Sequence, residues 1–163
     1  MATGPTRFVV DTMLGKLARW LRALGYDTLY PRAAEDHRLL QLARAEARIL
    51  LTRDVRLARE AGSLGLLVSA ERLDDQIAEV VRLLGLLPTE EGLLSRCLEC
   101  NGLLEERPRD ATRGLVPEYV FSTQHRFFGC PGCGKIYWQG SHADRILSRL
   151  SPLVRRALEE PET

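Results

Sequence analysis

Two sets of residues in this 163-residue sequence have types and spacings suited to metal chemistry. The first is cysteine: Cys97-Leu-Glu-Cys100 and Cys130-Pro-Gly-Cys133 are two Cys-x-x-Cys pairs with 29 residues between them. Each pair puts two thiolates on one tight turn, and together they offer the four soft ligands that zinc takes at tetrahedral vertices. Gly129, Gly132 and Gly134 let the second turn curl toward the metal. Four thiolates leave no open position for water, so the pattern predicts a structural zinc. Paired disulfides or a redox pair are the alternatives, and His125 or His142 would substitute if one cysteine were not a ligand.

The second set is acidic. Asp11, Asp36 and Asp54 each follow a stretch that reads as a strand, and Thr52 precedes the third of them in Leu51-Thr52-Arg53-Asp54. Grouped carboxylates repel one another unless a cation neutralises them, and hard oxygen ligands suit Mg²⁺ or Mn²⁺. Such a site can activate water and stabilise a leaving oxygen in phosphodiester hydrolysis. Each aspartate also has a plainer reading. Asp36 and Asp54 are good helix caps and Asp11 ends a strand; Asp74 and Asp75, at the start of the fourth helix, supply a further acid to this set or simply cap that helix. Lys16, Arg19 and Arg22 recur three apart and make a basic strip suited to phosphate, or else a solvated helix face.

These residues need elements to position them. Phe8 to Val10 is a short apolar run of the kind buried in a parallel sheet. From Thr12, a candidate cap, Met13, Leu14, Leu17, Trp20, Leu21 and Leu24 recur at helical spacing until Gly25. Tyr26 to Tyr30 reads as a second strand, followed by a helix capped by Glu35 or Asp36, and Arg48 to Thr52 as a third strand. A short helix at Val55 to Ala61, a strand at Leu64 to Val68 and a helix carrying Ile77, Val80, Val81 and Leu84 continue the alternation. Alternation at this pitch predicts an α/β fold with a mostly parallel sheet covered by helices on both faces. All three aspartates should then meet at the carboxyl edge of that sheet, where open α/β folds bind ligands.

Periodicity lapses over Leu87 to Gly92. The expected organisation is an α/β domain over residues 1–87, a linker at 88–95, a zinc ribbon at 96–142, and a C-terminal helix and tail at 143–163, broken or restarted at Pro152. Net charge is only +1, so any nucleic-acid surface must be local. The sequence has no apolar run of membrane-spanning length and no apolar signal region at its start. Together with the cysteine pairs, this gives a soluble cytoplasmic protein with no membrane association as the expectation.

Three stretches, Phe8-Val-Val-Asp11-Thr-Met-Leu-Gly-Lys-Leu-Ala-Arg-Trp-Leu-Arg-Ala-Leu-Gly25, Asp36 with Leu39-Leu40, and Ile49-Leu-Leu-Thr-Arg-Asp54, closely resemble the Mut7-C family of PIN-like ribonuclease domains. Arg96-Cys97, Cys100-Asn101 and Cys133-Gly-Lys-Ile-Tyr-Trp138-Gln-Gly-Ser-His142 extend the resemblance from residue 7 to about residue 150. It implies a PIN-like sheet and a divalent-metal nuclease site, with Asp11 as the first acid, Asp36 as the acid opening the later helix, and Asp54 as the acid after the Thr-x-Asp strand. Full-length PIN nucleases carry a further glutamate-bearing helix between the first two acids, for which residues 12–35 leave no room.

The expected function is a Mg²⁺- or Mn²⁺-dependent endoribonuclease in which Lys16, Arg19, Arg22 and Thr52 serve substrate binding, Thr52 being placed also to orient a carboxylate or simply to end its strand. Phe127, Phe128, Tyr137 and Trp138 would either stack on RNA bases or form the ribbon's core. The alternatives are a non-catalytic RNA- or ribosome-binding adaptor with a vestigial acidic site, and a tRNA-modification or sulfur-carrier partner that uses the thiolates.

Overall fold

A computed structural model describes residues 4–159, with the side chains of Ser141 and His142 outside the described set. Four strands, β1 (Arg7–Val10), β2 (Asp27–Leu29), β3 (Ile49–Thr52) and β4 (Gly65–Leu67), form a sheet in the order β2-β1-β3-β4, and every pairing is parallel. Helices α1 (Gly15–Ala23), α2 (Asp36–Glu46), α3 (Val55–Glu60) and α4 (Leu73–Leu84) alternate with the strands as expected.

Strand alternation sets the layers. Phe8, Val10 and Leu51 face one way, onto Leu17 and Leu21 of α1 and Ile77, Val80 and Val81 of α4. Val9 and Leu50 face the other way, onto Leu39 and Ala43 of α2 and Leu57 of α3. Burial on both faces is why these strands read as unbroken apolar runs. Leaving β1 for β2 on one face and returning to β3 and β4 on the other keeps each crossover right-handed and puts the reversal of strand order between β1 and β3.

The C-terminal helix α6 (Ser141–Glu159) continues through Pro152 without breaking or restarting. Pro152 and Ser148, the residue whose carbonyl loses its donor, are both exposed, so water can serve that carbonyl. Ile146, Leu150, Leu153 and Ala157 recur at helical spacing and join the α1–α4 core. Asp74 and Asp75, in the first turn of α4, pair with Arg149 and Arg156 of α6. They therefore tie two helices together and do not join the acidic edge. Residues 160–163 of the expected tail lie outside the described residues.

A second sheet of β5 (Glu105–Arg107), β6 (Phe127–Gly129) and β7 (Ile136–Trp138) is antiparallel in that order. A short helix, α5 (Glu118–Thr123), lies between β5 and β6; the sequence reading missed it because only Val120 of its six residues is buried. Val116, Val120 and Phe127 form a small separate core against Phe121, Ile136 and Trp138, which answers the core-or-stacking choice for Phe127 in favour of core. No helix among the described residues is long and apolar enough to cross a membrane.

Candidate metal centre and carboxylate edge

The two Cys-x-x-Cys turns are copies of one backbone motif. In the first, the Cys97 amide donates to Gly102 O (2.7 Å) and the Asn101 amide to Cys97 O (2.9 Å), with Asn101 at φ 75°. In the second, the Cys130 amide donates to Lys135 O (2.9 Å) and the Gly134 amide to Cys130 O (2.8 Å), with Gly134 at φ 78°. Facing copies of a two-thiol turn bring all four sulfurs within 4.8 Å of one another. A zinc ion bonded at about 2.3 Å to four sulfurs would hold them about 3.8 Å apart. The four cysteines are thus placed to hold a structural zinc, and none is in a disulfide.

The electrostatics agree. Burial raises Cys97, but the Tyr137 hydroxyl at 3.2 Å and the Cys100 and Glu99 amides outweigh it and bring the thiol down to about 6. The Gly102 amide lowers Cys100, yet its hydrogen bond with Cys130, burial and the neighbouring thiols push it up to about 12. One thiol ionises readily and its neighbours resist, because thiolates this close repel until a cation neutralises them. His125 is exposed and stands outside the cysteine cluster, while His142 lies outside the described side chains.

The first turn docks on the outer edge of β2, near the amino ends of the strands. Asn101 takes the positive φ for which the second turn uses glycine, and its side chain accepts from the Thr28 amide (2.9 Å) and donates to Asp27 Oδ1 (2.7 Å). Arg22 is only 6% exposed; it donates to Thr28 O (2.9 Å), Leu98 O (3.0 Å) and Glu99 O (3.1 Å). Arg22 is therefore a brace between α1, β2 and the cysteine turn, which corrects its assignment to substrate binding. Helix α1 runs back from the carboxyl edge, so the expected basic strip is spread along it: Lys16 exposed near that edge, Arg19 paired with Glu99, and Arg22 buried beneath the ribbon.

Arg48 completes the dock by donating to Asp27 Oδ1 (2.8 Å) and Phe8 O (3.1 Å). Burial raises the Asp27 carboxyl, but hydrogen bonds from Arg48 and Asn101 and the nearby Arg48 and Arg96 charges hold it below the ordinary value of 3.8. A carboxyl lowered in the fold contributes stability that is complete above that ordinary value and lost as pH falls through the folded one. Asp27→Asn is accordingly expected to flatten the pH dependence of urea unfolding below about pH 4, read as midpoint against pH. Asp27, Asn101 and Arg48 were missed in the sequence; the one available signal was asparagine where the second turn has Gly134.

At the other end of the strands lies the carboxylate edge. Asp11, 9% exposed, follows β1 directly. Its Oδ1 accepts from the Thr12 amide (2.7 Å) and hydroxyl (3.2 Å), and its Oδ2 from the Thr52 hydroxyl (2.7 Å). Asp11, not Thr12, thus caps the turn leading into α1, since its carboxylate meets the first free amide one residue earlier. Thr52 is fully buried, and its Oγ1 also accepts from the Asp54 amide at 3.0 Å. It orients Asp11 and fixes the backbone of Asp54. Asp54 Oδ1 caps α3 through the Leu57 amide (3.1 Å), while its side chain remains exposed. Asp11 and Thr52 flank the reversal of strand order, where an open α/β sheet has its crevice.

Asp36 stands in the first turn of α2 without making a cap bond, and its Oδ2 meets Arg56 at 3.3 Å. Among the described residues, the cysteines alone gather three or more potential ligand side chains closely enough to share an ion. The three aspartates share an edge but do not form such a cage. Glu79 of α4 also reaches this edge, accepting from the Ser69 and Ala70 amides at 3.0 Å, while Gln76 and Arg53 donate to Ala70 O. These three clamp the loop after β4; the sequence hid them, because a helical Glu or Gln reads as surface.

Comparison with known proteins fits this arrangement. The chain is 25% identical over 230 aligned positions to a human protein named "Exonuclease mut-7 homolog", covering 93% of this chain and 26% of that one. It therefore spans about a quarter of the length of the curated relative it matches. No solved structure matches. A family model described as "Mut7-C RNAse domain" matches residues 6–150, taking in both the carboxylate edge and all four cysteines, and the chain belongs to that nuclease-type family.

Proposed function

We propose that the chain is a ribonuclease that cuts RNA internally at the carboxyl edge of its parallel sheet, using Mg²⁺ or Mn²⁺ held by Asp11 and Asp54 with Asp36 as a flanking acid. The observation that carries this reading is Asp11: a nearly buried carboxylate at the sheet's crevice, both oxygens oriented by donors and linked through Thr52 to a second acid. Mg²⁺ commonly binds one or two carboxylates and keeps several waters, so Asp11 and Asp54 fit it without a three-acid cage. A bound divalent cation would neutralise charge on the phosphodiester and make water a better nucleophile.

The chain's own residues orient and attract. Thr52 fixes Oδ2 of Asp11 through its hydroxyl, and Lys16, exposed in the first turn of α1, draws the phosphate chain to the same edge. We assign residues 1–87 to the nuclease unit and 96–142 to a ribbon that braces it, joined by 88–95. Four cysteines gathered for a metal, with no disulfide among them, suit a reducing compartment such as the cytoplasm.

A non-catalytic RNA- or ribosome-binding adaptor is the second reading, favoured by the separation of the three acids. An assay on end-labelled single-stranded and structured RNA, with Mn²⁺ added or omitted, separates the two. Internal cuts that need Mn²⁺ are expected. Cleavage that is absent, or that persists in Asp11→Asn and Asp54→Asn, would defeat the enzyme reading, and release of terminal mononucleotides alone would make it an exonuclease.

Thr52→Val keeps the shape and removes the hydroxyl. The carboxylate of Asp11 loses a donor worth about 1–3 kcal/mol, and cleavage is expected to fall about tenfold or more in kcat with KM little changed. An unchanged kcat would show that Thr52 does not position Asp11.

A further inference from the structure

Between α1, α6 and the first cysteine turn lies a cavity of about 220 Å³, lined by Arg19, Trp20, Leu98, Arg145, Ile146 and Arg149. Leu98 and Ile146 are buried members of the central core and make an apolar floor, and three guanidiniums surround it. Arg149 is held in place: two of its nitrogens donate to Asp74 Oδ1 (3.0 and 2.6 Å), and its guanidinium carbon lies 5.0 Å from the centre of the Trp20 ring. Arg19 pairs with Glu99, which Lys135 also approaches at 3.3 Å. Arg145 is exposed, one helical turn before Arg149, and has no hydrogen-bond or ion-pair partner among the described residues.

Of four cations here, the two carboxylates Glu99 and Asp74 answer Arg19, Lys135 and Arg149, and Arg145 is left unanswered. The cavity is small beside the roughly 300–1,000 Å³ of drug-sized ligand sites, so it suits one flat group with an attached anion. An indole and a guanidinium plate beside an apolar floor, with further arginines at the rim, are the chemistry that holds an unstacked base and its phosphates. Lys16, Arg19 and Trp20 follow one another at helical spacing along α1, so Lys16 stands about one helical turn, about 5.4 Å, from the cavity on the side of the carboxylate edge.

We infer that this cavity is a nucleotide subsite for single-stranded RNA, with one base at the Trp20–Arg149 pair and its phosphates on Arg145 and Arg19. The inference rests on the ribonuclease reading for its choice of RNA, but binding tests it separately from cleavage. A bound strand passing Lys16 would run on toward the carboxylate edge. A base inside a duplex cannot enter the cavity, so single strands are selected.

Fluorescence anisotropy of a labelled 12-nucleotide single-stranded RNA, titrated with zinc-loaded protein without added Mg²⁺ or Mn²⁺ at several salt concentrations, tests this. Arg145→Ala is expected to weaken binding several-fold and to lower the salt slope by about 0.7, the loss of one phosphate contact to a single strand. Arg145→Glu should weaken it more than tenfold, and an RNA duplex of the same length should bind more weakly than the single strand and be indifferent to Arg145. Binding by both variants with wild-type affinity and slope would overturn the inference. So would equal binding of duplex and single strand, or binding of an acidic peptide in preference to RNA. Arg145-dependent binding with no cleavage under any divalent cation would uphold the subsite and defeat the nuclease reading. Metal-dependent cleavage with Arg145-independent binding would do the reverse.

Discussion

Asp11→Asn should reduce RNA cleavage by at least about 10²-fold, the usual range for losing a group that acts directly on the reacting atoms, while leaving a folded protein. The side chain keeps its size. Its oxygen can still accept from the Thr12 amide, but its NH₂ then faces Thr52, whose hydroxyl loses the carboxylate it donated to and can only accept. One lost hydrogen bond in a nearly buried site costs about 1–3 kcal/mol, a shift visible in thermal unfolding but small beside the catalytic effect. Asp54→Asn is the cleaner companion, because an amide oxygen can still cap α3 through the Leu57 amide. It should lower cleavage with almost no change in unfolding midpoint. Rates under single-turnover conditions, set beside the unfolding curves, separate chemistry from stability.

The second large effect is on the ribbon. Removing zinc with a strong chelator, or replacing the buried Cys130 with Ser, should unfold residues 96–140 and release one zinc per chain. Structural zinc contributes about 10–16 kcal/mol to peptides of comparable ligand sets, and the ribbon's own core of Val116, Val120 and Phe127 is too small to replace it. The damage should spread. Arg22 would lose its acceptors at Leu98 and Glu99 and keep only Thr28 O, so the brace between α1, β2 and the ribbon would be gone and its guanidinium would face water. The Thr28 amide would lose Asn101 at the same time, exposing the free edge of β2. Hydrogen exchange should show protection vanishing across the ribbon and falling at Thr28, with the β1–β3 amides still protected. Full protection of the ribbon without metal would contradict a zinc-held module.

The order of elements was legible in the sequence because strands buried on both faces are runs such as Phe8-Val9-Val10, and helices repeat their apolar residues at fixed intervals. The cysteine cluster was legible because its spacing encodes its geometry. Long-range polar contacts leave no such trace. Arg22 and Arg19 look alike on a helical wheel, yet one is buried beneath Leu98 and the other pairs with Glu99 at the surface, and only the docking of the ribbon distinguishes them. Asp74 and Asp75 looked like a possible extension of the acidic edge until α6 supplied Arg149 and Arg156. The shared edge of Asp11, Asp36 and Asp54 followed from parallel topology, but how closely their side chains approach depends on local bonds. Asp54 is drawn toward Leu57 and Asp36 toward Arg56.

The proposed nuclease site requires that the carboxylate edge hold a divalent cation distinct from the zinc. Anomalous scattering from a crystal of the zinc-loaded protein soaked in Mn²⁺ tests it most directly. A manganese peak is expected between the carboxylates of Asp11 and Asp54, absent in Asp11→Asn, together with a separate zinc peak at the four cysteines. A zinc peak with no manganese at the carboxylate edge would contradict it.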